Sequence, residues 1–183
     1  MKGFFIILLI LFPFFICNGQ DRIVIYHSGE KDQTAWNMFR KDFQGKGYKM
    51  YIYESTDSLD KHLENVNKIN RVNDAVFIAL DVATGEKNHV FVAVTEAHKG
   101  QGNIMTIEEV PAIHLKASQE LANYIALSFN KKVKQMPLFP LLGVDMPGCF
   151  LHIEAPQEKL NEMFDILHNA IQKYFRRGVK NET

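Results

Sequence analysis

Three short stretches hold most of the side chains that could do chemistry: Tyr26-His27-Ser28-Gly29-Glu30, Leu80-Asp81-Val82-Ala83-Thr84 and His152-Ile153-Glu154. Each places histidine or carboxylate, the groups that move protons or hold a cation, just beyond an apolar run. No Gly-x-Gly-x-x-Gly and no Gly-Lys-Ser/Thr follows such a run, so a phosphate-cradling loop lacks support. A Gly-x-Ser-x-Gly elbow is absent too, which removes serine hydrolysis of that type. Cys149 sits inside an apolar run and reads as a buried, inert thiol rather than a nucleophile.

The elements that must position these residues follow from two periodicities. Runs rich in β-branched and aromatic residues predict strands over 22–26, 49–53, 75–80, 90–94 and 149–153. Apolar residues three and four apart predict helices between them. The first covers 34–44 with Trp36, Phe39 and Phe43 inward, and Gly45 and Gly47 end it. The second covers 58–70 with Leu59, Leu63, Val66 and Ile69 inward, and a third is capped by Ser118 with Leu121, Ile125 and Phe129 as its stripe. The last carries Leu160, Met163, Phe164, Leu167, Ile171 and Phe175. Strands alternating with helices predict an α/β fold, a central, mostly parallel sheet of about five to six strands with helices on both faces. The runs at 75–80 and 149–153 are apolar on both faces and belong at its centre. Functional groups then gather at the carboxyl ends of the strands.

Lys2, the apolar stretch over 4–17 and Asn18-Gly19-Gln20 have the order of a secretory signal, so residues 1–20 are expected to be removed and the protein exported, to periplasm or extracellular space. The apolar stretch is shorter than the roughly 20 residues needed to span a bilayer, and an uncleaved anchor or lipidation at Cys17 is the weaker expectation. Loss of 1–20 removes one lysine and no acid, leaving 20 Lys+Arg against 21 Asp+Glu. Such a balance gives no field for nucleic acid, and no membrane span is expected after cleavage. Residues 21–183 fit one domain, and the single remaining cysteine excludes an internal disulfide.

The order of pieces resembles the zinc-dependent N-acetylmuramoyl-L-alanine amidases of peptidoglycan. Phe43-Gln44-Gly45-Lys46-Gly47-Tyr48-Lys49-Met50 is similar to the family's helix end, Gly-Tyr and second strand, and Ser55-Thr56-Asp57 to its following turn. The helix through Asn70, then Asp74 and Phe77-Ile78-Ala79-Leu80, resembles its third-strand region. Ser118-Gln119-Glu120-Leu121-Ala122, Met146-Pro147-Gly148-Cys149-Phe150-Leu151 and a terminal helix with Tyr174-Phe175 complete the likeness. The resemblance implies an amidase-like domain acting at peptidoglycan, with zinc held by His, Glu and His and a glutamate on the last strand assisting a metal-bound water.

The positions that carry this chemistry are altered. Gly29 stands at the first ligand position, with His27 two places early; only Asp32 is available for the second; Asp81 matches the third; His152 matches the catalytic glutamate, with Glu154 two residues on. Two accounts follow. In one, catalysis is lost and the domain binds peptidoglycan or a cell-envelope protein, or regulates cell-wall turnover, with no cofactor. In the other the site is rebuilt, with His27, Asp81 and His152 around zinc and Glu154 or Glu30 as base. An exported α/β binding protein unrelated to the amidases is the third account. Taken singly, His27 also reads as a loop histidine and Asp81 as a turn or cap aspartate. His152 needs a partner or a site, and it shares a face with Glu154. Tyr26 and Tyr53 are candidate sugar-stacking aromatics or, equally, core residues, the long segment 96–115 is a candidate binding loop, and His62, His89, His98, His114 and His168 read as surface residues.

Overall fold

The computed structural model describes residues 20–29, 32–98, 100 and 104–180, with side chains through Arg177. The expected signal with Cys17, the candidate base Glu30, and Gln101 and Gly102 of the proposed loop lie outside the described residues. No described helix is long and apolar enough to cross a membrane.

Among the described residues six strands form one sheet: β1 (Arg22–His27), β2 (Lys49–Glu54), β3 (Ala75–Thr84), β4 (His89–Thr95), β5 (Lys134–Met136) and β6 (Gly148–Ala155), in the order β2-β1-β3-β6-β4-β5. All neighbouring pairs are parallel except β4 with β6. Among the described residues, three helices connect strands, α1 (Gln33–Gln44), α2 (Leu59–Ile69) and α3 (Leu115–Ser128), and α4 (Leu160–Lys180) follows β6. The chain leaves β1 outward to β2, then passes back over β1 to β3. Right-handed crossovers in opposite directions put their helices on opposite faces. α1 accordingly packs with α3 and α4 on one face, around Ile23, Ile25, Ile78, Leu151 and Phe164, while α2 packs on the other around Val24, Tyr26 and Phe77.

The sequence-predicted α/β architecture with helices on both faces is the one observed, and β3 and β6 lie at its centre. Details differ for local reasons. β5 is three exposed residues without an apolar pattern to announce it. Ser118 lies inside α3 rather than capping it, and its hydroxyl accepts the Gly148 amide at 3.0 Å, tying α3 to the start of β6. On α2 the buried positions are His62, Val66 and Ile69; Leu59 is exposed. His62, expected at the surface, is fully buried, and of the two roles open to Tyr26 it takes core packing, buried beside His62 with its hydroxyl 3.0 Å from His62 Nδ1. Tyr53 is half-buried against the same core. His168 is half-buried, with Nδ1 2.9 Å from the Tyr48 hydroxyl.

Candidate functional site

β1 ends at His27, opposite Leu80 of β3, but β3 and β6 run on as a pair through Thr84 and Ala155. This overhang is a ledge at the carboxyl end of the parallel strands, where the strand order reverses on either side of β1. Asp81 is therefore not in a turn after β3. It is inside the strand, level with His152 of β6.

Alternation along the strands decides which residues meet. Asp81 follows Phe77 and Ala79 on the α2 face, and register carries that face to His152 and Glu154 on β6 and to His89 and Phe91 on β4. One row across the ledge reads Asp81, His152, Phe91, and the next reads Ala83, Glu154, His89. Asp81 Oδ2 accepts a hydrogen bond from His152 Nδ1 at 2.8 Å, and His152 Nε2 lies 3.8 Å from Glu154 Oε2. The His89 and His152 rings are 5.3 Å apart. The bond to Asp81, helped by the charges of Asp81 and Glu154 and opposed by burial, raises the His152 pKa above the ordinary histidine value. His152 and Asp81 are about one-fifth exposed and Glu154 more than a third, so the row is reachable from solvent.

His27 does not join this group, which corrects its expected place beside Asp81 and His152. It follows Ile23 and Ile25 on the α1 face of the sheet, buried, with its ring stacked on Trp36 at 4.0 Å. Its Nδ1 bonds Glu54 Oε2 at 2.9 Å across β1 and β2, and its Nε2 has no partner among the described residues.

Zinc at the ligand positions implied by the resemblance does not fit this chain. Gly29, at φ 115°, offers no side chain, and a Cβ there would collide with the Asp81 carboxylate. Asp32 is committed to architecture: it caps α1 through Ala35 N at 3.0 Å, and its second oxygen accepts from Thr84 N at 2.7 Å and Thr84 Oγ1 at 2.6 Å. Those bonds, the Thr84 hydroxyl first, lower its pKa to about 2. Cys149 is fully buried and its thiol pKa is pushed up to about 12 by burial, which leaves it no nucleophile.

Two features of the ledge escape reading from sequence. His89 carries no motif, and only the antiparallel register of β4 on β6 brings it opposite Glu154. Phe91 and Phe150 pack edge to face, 6.2 Å apart, half-buried on the same face as the polar row. Their one sequence signal is position: both fall two residues from a histidine along a strand, hence on its side.

Fold and ledge together define an α/β protein whose polar groups gather at the carboxyl ends of a mostly parallel sheet. No family model and no curated protein matches the chain. Among solved structures it is similar to the apo form of the N-acetylmuramyl-L-alanine amidase Ami1 from Mycobacterium abscessus, at 10% identity over 85% of this chain and 98% of that one, with a TM-score of 0.48. An identity and superposition this low say nothing about which residues act.

Proposed function

We propose that this is an exported, amidase-like domain that binds peptidoglycan and does not cleave it by the amidase mechanism. The observation that carries the binding half is the open ledge, where the Phe91 and Phe150 pair adjoins Asp81, His152 and Glu154 on one face. A sugar ring or peptide stem has apolar C–H faces for the aromatic edge and hydroxyl, amide or carboxylate groups for the polar row, and a half-open polar and aromatic strip suits such a ligand. The amidase-like order of sequence pieces and the signal-like residues 1–20 support the same compartment and target. Loss of amidase catalysis rests on the positions themselves, since Gly29 cannot ligate and Asp32 is tied to Ala35 and Thr84.

Co-sedimentation with insoluble peptidoglycan tests the reading, together with an assay for release of peptide stems carried out with and without added zinc. The expected result is protein in the pellet, reduced at least several-fold in Phe91→Ala and Phe150→Ala, with no stem release. Protein that stays in the supernatant overturns the binding role. Stem release that disappears in His152→Ala or Glu154→Ala overturns the non-catalytic half.

A further inference from the structure

His89, His152 and Glu154 each offer a ligand atom, and these atoms lie within 4.8 Å of one another. They come from two strands whose antiparallel pairing fixes their backbones: His89 is directly opposite Glu154, and His152 is two residues from Glu154 on the same face. Donors about 2.1 Å from a tetrahedral ion are about 3.4 Å apart, so closing this trio on a cation needs donor pairs to approach by at most about 1.4 Å, a side-chain adjustment shared between the partners. His89 is exposed and Glu154 partly so, which leaves both free to move that far.

A second feature prepares His152 for this role. A carboxylate oxygen can only accept, so the Asp81 bond requires the proton on His152 Nδ1. In the neutral ring Nε2 is then a bare lone pair, and Nε2 is the atom that faces Glu154. A carboxylate behind a histidine that presents its other nitrogen is how metal-ligating histidines are held and made more basic. Gly85 adds a steric condition, because a Cβ at that position would collide with the Glu154 carboxylate.

We propose that His89, His152 and Glu154 bind a late first-row divalent cation, zinc above all, with Asp81 as the positioning residue that orients His152. Two imidazoles and one carboxylate form a borderline nitrogen and oxygen donor set that favours zinc over magnesium or calcium. This trio shares no residue with the ligand positions implied by the amidase resemblance, which fall on Gly29, Asp32 and Asp81. Three protein donors on a half-open face leave a coordination position toward solvent, open to an oxygen of whatever lies on the ledge. The site does not depend on the peptidoglycan reading, since it requires only the cation.

The test uses purified protein stripped with a chelator and titrated calorimetrically with Zn²⁺, and with Co²⁺ followed by its visible absorption. One zinc per chain is expected, with cobalt bands showing nitrogen and oxygen ligation. His89→Ala and His152→Ala should each weaken zinc at least 100-fold. Asp81→Asn should weaken it about 10- to 100-fold while keeping one site per chain. Gly85→Ala should weaken it by displacing the Glu154 carboxylate, and His114→Ala, at the far end of the sheet, should leave it unchanged. His89 is exposed, so its variant remains informative if His152→Ala fails to fold. Absence of 1:1 binding, or binding that survives His89→Ala unchanged, overturns the site. Peptidoglycan co-sedimentation of metal-free protein is read separately, so failure of either proposal is distinguishable from failure of the other.

Discussion

Asp32 accepts three hydrogen bonds, from the Ala35 amide and from the Thr84 amide and hydroxyl, and so joins the first turn of α1 to the last residue of β3. An N-cap of this kind contributes about 1 kcal/mol, and the link to Thr84 adds to it. Asp32→Ala should lower unfolding free energy by about 1–2 kcal/mol at pH 7, measured by chemical denaturation. The sign of the pH effect follows from the direction of the shift. A carboxyl held at about 2 in the fold, against 3.8 when unperturbed, stabilises fully above the upper value, and its contribution is lost as pH falls through the lower one. The difference between wild type and Asp32→Ala should therefore shrink between about pH 4 and pH 2. Asp32→Asn, which keeps a capping oxygen but cannot titrate, should remove that pH dependence while keeping most of the stability at pH 7. Cys149 gives a second expectation at this scale. Its buried thiol, raised to about 12, should resist a thiol-modifying reagent in native protein and react on unfolding, with labelling read by mass spectrometry.

On α2 a histidine occupies a core position. His62 Nε2 lies 2.9 Å from the Leu142 carbonyl, which can only accept, so Nε2 carries the proton and Nδ1 takes the Tyr26 hydroxyl hydrogen. His62 thus ties α2 to β1 and to the segment before β6, and it has no exposed surface. His62→Leu removes a partner from the buried Tyr26 hydroxyl and from the part-buried Leu142 carbonyl and should cost about 1–3 kcal/mol. In a double-mutant cycle Tyr26→Phe should cost less on the His62→Leu background than alone, as expected of groups sharing one bond. The same element shows what a sequence can disclose. Val66 and Ile69 mark the inward face of α2 by spacing, and the strand runs at 75–80 and 149–153 declare themselves central by being apolar on both faces. His62 escapes because a polar side chain in an apolar stripe reads as a break until its two partners, 36 and 80 residues away, are known. Asp81 escapes similarly: a lone carboxylate after six apolar residues looks like a turn, and only β6 running alongside makes it strand. His152 and Glu154 are legible as a pair because they share one strand. Their meeting with His89 depends on a pairing register that no local pattern encodes.

As a whole the molecule is a sheet with unequal faces. Three helices close the α1 face around a continuous core, in which Phe39 and Phe164 meet edge to face at 5.5 Å with neither ring exposed. The α2 face is closed only over β1 and the start of β3, and beyond it the strips of β6 and β4 carrying Phe150, His152, Phe91 and His89 are half-open or exposed. This asymmetry predicts opposite consequences for one kind of substitution. Phe164→Ala empties a closed site and should cost about 3–5 kcal/mol, since Phe39 and the rest of the closed core relax only partly. Phe91→Ala removes a ring already half in solvent and should cost about 1–2 kcal/mol, because less apolar area returns to water and the space left is open rather than a cavity. Binding to peptidoglycan should run the other way, several-fold weaker in Phe91→Ala and unchanged in Phe164→Ala at temperatures where that variant stays folded. Denaturation midpoints and co-sedimentation of both variants measure the two orders together. Equal losses of binding in the two would show that the ledge is ordinary surface and that any binding is spread over the molecule. Reversed order in binding with the stated order in stability would place function on the open face and folding on the closed one.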